Sequence, residues 1–179
     1  VTGVDLIADE GVEERTDRFF SADLEDGLPD EVGDGYDIVI AADVIEHVRN
    51  PDDLLADLAG RMDPRGRIIA SVPNFAHWYP RLRVAAGLFD YDQRGILDRT
   101  HVRFFTRRSF RRVLAGTGLD VETERYAGLP LDVLGVGGVV GAMVAAVDGV
   151  ARRVWPTLFA YQFVVELQTA PHLLDLPAT

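Results

Sequence analysis

The chain has 179 residues, 47% of them hydrophobic and 9% aromatic, enough for one domain with a sizeable core and too few to require two. Its net charge of −11 and pI near 4.7 argue against nucleic-acid or anionic-membrane partners, which need clustered cations to replace condensed counterions. All 18 cations are Arg, and the absence of Cys excludes disulfides and thiolate chemistry; with four dispersed His and no HxxxH or HxH pair, no metal centre is expected.

In chain order, Val1-Thr2-Gly3-Val4-Asp5-Leu6 reads as a short buried strand ending in an acid. A second apolar piece, Arg18 to Ala22, runs into a loop of acids, Gly27 and Pro29. Tyr36 to Ala42 (YDIVIAA) is a continuous β-branched run of the kind buried on both faces of a parallel sheet, and it is expected at the sheet's centre. Asn50 is placed as an N-cap with Pro51 at the first helical position and Asp52 and Asp53 in the first turn. Leu54, Leu55 and Leu58 give that helix its apolar face. Asp63-Pro64-Arg65-Gly66 then turns the chain into the strand Arg67 to Val72, completing a βαβ unit.

Thr106 caps a helix whose Phe110, Val113 and Leu114 face inward and whose Gly116 and Gly118 end it. Asp120 to Tyr126 alternates like an outer strand, and Leu158 to Leu167 reads as a last strand at or near the edge. Between them, Val133 to Val147 carries no charge. It is shorter than the roughly 20 residues of a membrane span, so a buried or interface helix is expected and a homodimer stays open. No basic n-region precedes an apolar run, which points to the cytoplasm. The expected organisation is one domain over 1–170, with an insertion at 75–105, a Gly-rich apolar helix at 131–154 and a loose tail at 171–179.

Ligands of open α/β sheets bind at the carboxyl ends of the strands, and here those ends carry Asp5, Asp23 and Asp43. A carboxylate there can accept both hydroxyls of a ribose or an amino group of adenine. Any one of them also reads as an ordinary loop or cap acid; three at successive strand ends is the stronger signal. Residues 36–74, YDIVIAADVIEHVRNPDDLLADLAGRMDPRGRIIASVPN, closely resemble the central part of class I S-adenosylmethionine-dependent methyltransferases, with VTGVDL and SADLEDGLP similar to that family's second strand and adenine loop. The region from Asn74 to Thr106 resembles the acceptor-side insertion of small-molecule and polysaccharide-associated members, and PNFAHW also resembles MetW-type proteins.

The resemblance implies an α/β, Rossmann-like class I methyltransferase sheet with S-adenosylmethionine as cofactor. Asp5 would take the ribose hydroxyls, Asp23 the adenine amino group and Leu24 the adenine face, while Ala41, Ala42 and Asp43 would wall the methionine end. The D/E-x-G-x-G loop of the family is absent, so the resemblance implies a sheet lacking its first strand, Gly-rich loop and first helix, entered in the middle of the cofactor site. Acceptor-side candidates are His47, His77 and His101 as bases, since imidazole titrates near working pH, and Trp78, Tyr79, Arg99 and Arg103 as acceptor contacts. Each has a structural alternative: a His bound to a loop carbonyl, an Asp98–Arg99 ion pair, aromatic lid packing. Arg107, Arg108, Arg111 and Arg112 read as a solvated helix face. The implied function is methyl transfer to oxygen of a small-molecule or glycan-type acceptor; a non-catalytic interaction module is the alternative from another class.

Overall fold

A computed structural model describes residues 1–8, 10–131, 133 and 135–169; the expected tail at 171–179 lies outside the described residues. The strands are β1 (Thr2–Asp5), β2 (Arg18–Ser21), β3 (Tyr36–Ala42), β4 (Met62–Pro73), β5 (Leu119–Ala127) and β6 (Gln162–Thr169). The helices are α1 (Val12–Arg15), α2 (Pro51–Gly60), α3 (Trp78–Ala85), α4 (Arg107–Gly116), α5 (Gly138–Val154) and α6 (Pro156–Phe159). β1 and β2 form a parallel pair, and the other strands form a sheet of order β3-β4-β6-β5, parallel at β3/β4 and antiparallel at β4/β6 and β6/β5.

Two expectations change. β6 is flanked by β4 and β5 rather than lying at the edge, and β3 is the edge strand of the four-stranded sheet rather than its centre. The physical reason for the first is that an antiparallel strand arriving last can insert between two earlier ones, a choice no local pattern encodes. For β3, one face is covered and one is open. Ala41 is buried, whereas Ile38 and Ile40 are 60% and 69% exposed. β1, expected to be buried, is half-buried along Thr2–Val4 and exposed at Asp5.

The covered face carries the core. Ile68, Ala70 and Val72 of β4 and Phe163, Val165 and Leu167 of β6 alternate inward at period two and meet Leu55 of α2 and Phe110 and Leu114 of α4. α4 begins with a reciprocal capping box: the Thr106 hydroxyl accepts from the Ser109 amide while the Ser109 hydroxyl accepts from the Thr106 amide. Its Arg107 and Arg111, expected on a solvated face, both pair with the Glu124 carboxylate on β5, and these guanidinium charges hold Glu124 below the usual carboxylate range against the opposing effect of burial. Asn50 precedes α2 but its side chain makes no capping bond, so Pro51 and the two first-turn acids define that helix start.

Residues expected as a turn, Asp63 to Gly66, lie within β4 as an irregularity: Tyr36 pairs with Met62 and Ile38 with Arg67. Gly66 permits the close approach, because a Cβ there would stand 2.6 Å from the Tyr36 carbonyl oxygen and 2.9 Å from that of Asp63. Neither backbone oxygen can yield without disturbing the pairing, so Gly66→Ala is expected to cost about 2 kcal/mol of stability, read as a lower urea midpoint.

The Gly-rich helix α5, expected to be buried or to form an interface, is largely exposed in the single chain, with Val139, Met143 and Val147 78%, 66% and 71% exposed, which excludes burial within the domain but not an interface. It packs mainly on α6, while Arg152 pairs with Asp148 one turn earlier and reaches the Tyr126 carbonyl. Among the described residues, no helix is long and apolar enough to cross a membrane.

Candidate active site

The carboxyl ends of β1, β2 and β3 converge. Asp5, Asp23, Leu24, Asp43 and His47 line one cavity of about 370 Å³, with Val4, Leu6, Ala22, Glu25, Val44 and Val48 completing its walls. Sequence spacing separates these residues by up to 42 positions; parallel strands with crossover connections bring their ends to one side. Asp5 and Asp23 are exposed. One oxygen of Asp23 accepts the Glu25 amide at 3.0 Å, capping the short 3₁₀ turn Leu24–Asp26, which fixes the carboxylate beside the half-buried Leu24. Ala41 and Ala42 do not line this cavity: Ala41 is buried and lines an adjoining space that shares Val4, Leu24 and Val44 with it, and Ala42 is exposed.

That adjoining space, about 160 Å³, lies between Thr2 and Val4 of β1 and Tyr36, Ile38 and Ile40 of β3. Among the described residues neither β1 nor β3 has a strand partner on its side of this gap.

Asp43 sits just beyond β3 with φ of 55°, the left-handed region, which Asp tolerates better than bulky residues. Its Oδ1 accepts from Gln162 Nε2 at 2.6 Å and from Ser71 Oγ at 3.3 Å, so strands β4 and β6 hold its carboxylate in place.

The chain then makes a 3₁₀ turn, Ile45–His47, that buries Glu46. The backbone amides of Val102 and Arg103 both donate to the Glu46 carbonyl oxygen at 3.0 Å, and this docks the end of the insertion on the turn. His101 is thereby brought to His47, their ring centroids 4.9 Å apart, and its Nε2 lies 3.9 Å from Glu46 Oε1. The Glu46 side chain is 1% exposed and neither carboxylate oxygen has a hydrogen-bond partner. Burial pushes its pKa up to about 8, and the nearby Asp43 charge adds to the rise. Burial also lowers the His101 pKa, so its imidazole is neutral at neutral pH. Glu46 is the site residue that sequence reasoning missed; an acid one position before His47 reads as a solvated loop residue, and only the docking of His101, Val102 and Arg103, distant in sequence, buries it.

The other expected residues have structural engagements. His77 is fully buried and caps α3, its Nδ1 accepting the Tyr79 amide at 3.3 Å. Tyr79 donates its hydroxyl to Asp92 Oδ2 at 3.0 Å and accepts from Arg83, whose guanidinium also pairs with Asp92 at 2.7 Å; these three pin the later part of the insertion to α3 within it. Trp78 remains 37% exposed beside His77 and Tyr79. Arg103 donates from its guanidinium to the Arg49 carbonyl. Arg99 is exposed, and Asp98 accepts from the amide and hydroxyl of Thr100 in place of an Arg99 pair.

Comparison with curated proteins gives no match. Among solved structures, a S-adenosylmethionine-dependent methyltransferase from Archaeoglobus fulgidus superposes with a TM-score of 0.57 at 15% identity, covering 93% of this chain and 74% of that one. A 1,6-didemethyltoxoflavin-N1-methyltransferase from Burkholderia thailandensis, with S-adenosylhomocysteine bound, gives 0.54 at 14% identity over 94% of this chain and 60% of that one. These likenesses identify the α/β fold as the Rossmann-like class I methyltransferase fold. Residues 1–124 match the family model of a methyltransferase domain, and the chain belongs to that family.

Proposed function

We propose that this domain binds S-adenosylmethionine in the cavity at the ends of β1–β3 and supports methyl transfer to an oxygen of a small-molecule or glycan-type acceptor. The observation that carries the reading is the convergence of Asp5, Asp23, Leu24 and Asp43 on one cavity. Two exposed carboxylates and an apolar side chain suit a ribose, an adenine amino group and an adenine face. The cofactor supplies an activated methyl group on a cationic sulfur. Asp5, Asp23 and Leu24 would hold it, and the acceptor hydroxyl would be oriented at the cavity wall, where its proton could pass to Asp43 or to the His47 imidazole with His101 behind it.

The gap between β1 and β3 supports a second part of the proposal. Two parallel ladders face it with unpaired edges, and Ile38 and Ile40 stand exposed beside it, so the gap suits one further parallel strand carrying a Gly-rich loop. The reading is tested by calorimetric titration with S-adenosylmethionine, for the 179-residue chain and for a form in which such a strand is supplied. Binding is expected to be weak in the first and tight in the second. Asp5→Ala is expected to weaken it at least about tenfold through loss of charged hydrogen bonds. No binding in either form overturns the reading and favours a non-catalytic module that works by protein contact.

A further inference from the structure

Glu46, His47 and His101 form a group whose ligand atoms lie within 4.8 Å of one another. Both imidazoles are held in one tautomer. His47 Nδ1 lies 3.2 Å from the Thr100 carbonyl oxygen and His101 Nδ1 lies 3.3 Å from that of Ile96. A carbonyl oxygen only accepts, so each Nδ1 carries the proton and each Nε2 keeps its lone pair. This is the support that metal-binding histidines ordinarily receive. The third donor, Glu46, is 1% exposed with both oxygens unpartnered, an arrangement that costs several kcal/mol unless a positive charge or a proton meets it.

We propose that Glu46, His47 and His101 bind one divalent cation of borderline character, of the zinc or cobalt class. Two imidazoles and one carboxylate are a donor set that such ions favour over magnesium or calcium, which prefer all-oxygen shells. Bonds of about 2.1 Å in a tetrahedron set donors roughly 3.4 Å apart, so side chains need close by only about 0.7 Å each. Three protein donors leave a fourth position for water or an acceptor oxygen, and the ion beside Asp43 lowers the pKa of a hydroxyl bound there. That last role rests on the methyl-transfer reading and, with both Nε2 atoms on the ion, leaves Asp43 to take the acceptor proton; the cation site itself does not rest on that reading.

The test is titration of the tag-free, chelator-treated protein with Co²⁺, followed by visible d–d absorption, and with Zn²⁺ by calorimetry, both without S-adenosylmethionine. One equivalent is expected to bind and to give a tetrahedral Co²⁺ spectrum. His47→Ala, at a half-exposed loop position where folding is easily retained, and His101→Ala are each expected to lower affinity at least about tenfold, with circular dichroism unchanged for His47→Ala. Absence of saturable binding to the unaltered protein, or an affinity in His47→Ala and His101→Ala equal to that of the unaltered protein, overturns the cation site. Because the cofactor is absent from both titrations, that failure is separate from failure of the methyltransferase reading.

Discussion

Asn74→Asp is expected to destabilise the domain by about 3–5 kcal/mol, more than Asn74→Ala, although it changes one atom in place. Asn74 is fully buried at the end of β4. Its Nδ2 donates to the carbonyl oxygens of Ala160 at 2.7 Å and Thr157 at 3.1 Å, and its Oδ1 accepts the Ala76 amide at 2.9 Å. Its own amide donates to the Tyr161 carbonyl, and the next residue, Phe75, donates its amide to Phe105. One side chain therefore ties the α6–β6 connection to the start of the insertion. In Asn74→Ala the Ala160 and Thr157 carbonyls lose a donor, a cost of about 1–3 kcal/mol for an unsatisfied buried group. In Asn74→Asp an acceptor, charged unless it takes up a proton, faces the two carbonyl oxygens of Thr157 and Ala160. Denaturant unfolding of the three proteins checks the order, and an Asp variant as stable as the Ala variant contradicts it.

What the residues announced in advance depends on the range of the interactions involved. α4 was legible because Thr106, Phe110, Val113 and Leu114 follow helical spacing, and β5 because its apolar and polar residues alternate. The carboxylates Asp5, Asp23 and Asp43 were legible because each closes a strand, and strand ends in this architecture share one side of the sheet. The site of β6 was not, since insertion between β4 and β5 is a long-range pairing decision. The exposure of α5 was not legible either, because an uncharged run of residues has the same composition whether its faces are covered or open. Most consequential is the Glu46–His47–His101 group. Spacing rules for metal sites look for ligands one helical turn or a few residues apart, whereas here a 54-residue excursion returns His101 to His47 through the Val102 and Arg103 amides bound at Glu46.

Acidification provides the other large effect. His77 Nδ1 accepts the Tyr79 amide, so the neutral ring carries its proton on Nε2, which is buried without a partner. Burial lowers the His77 pKa to about 4 from the ordinary value near 6.5. A lowered folded pKa means that the unfolded chain binds more protons between these two values. Stability is therefore full above about pH 6.5 and falls as pH drops toward 4, by about 3 kcal/mol from this residue. Burial depresses His101 in the same direction, while the raised pKa of Glu46 works against both across this window, so the total slope belongs to all three groups, and subtraction isolates His77. His77→Asn keeps a short side chain that accepts at the start of α3 and removes the titration. Its stability at pH 7 drops through lost packing, but its decline between pH 6.5 and 4 is expected to be shallower than that of the unaltered protein by about those 3 kcal/mol. Urea unfolding at several pH values reads this difference directly. Parallel curves for the two proteins mean that His77 is protonated in the folded state, which would require its ring to open to solvent and the cap of α3 to be lost.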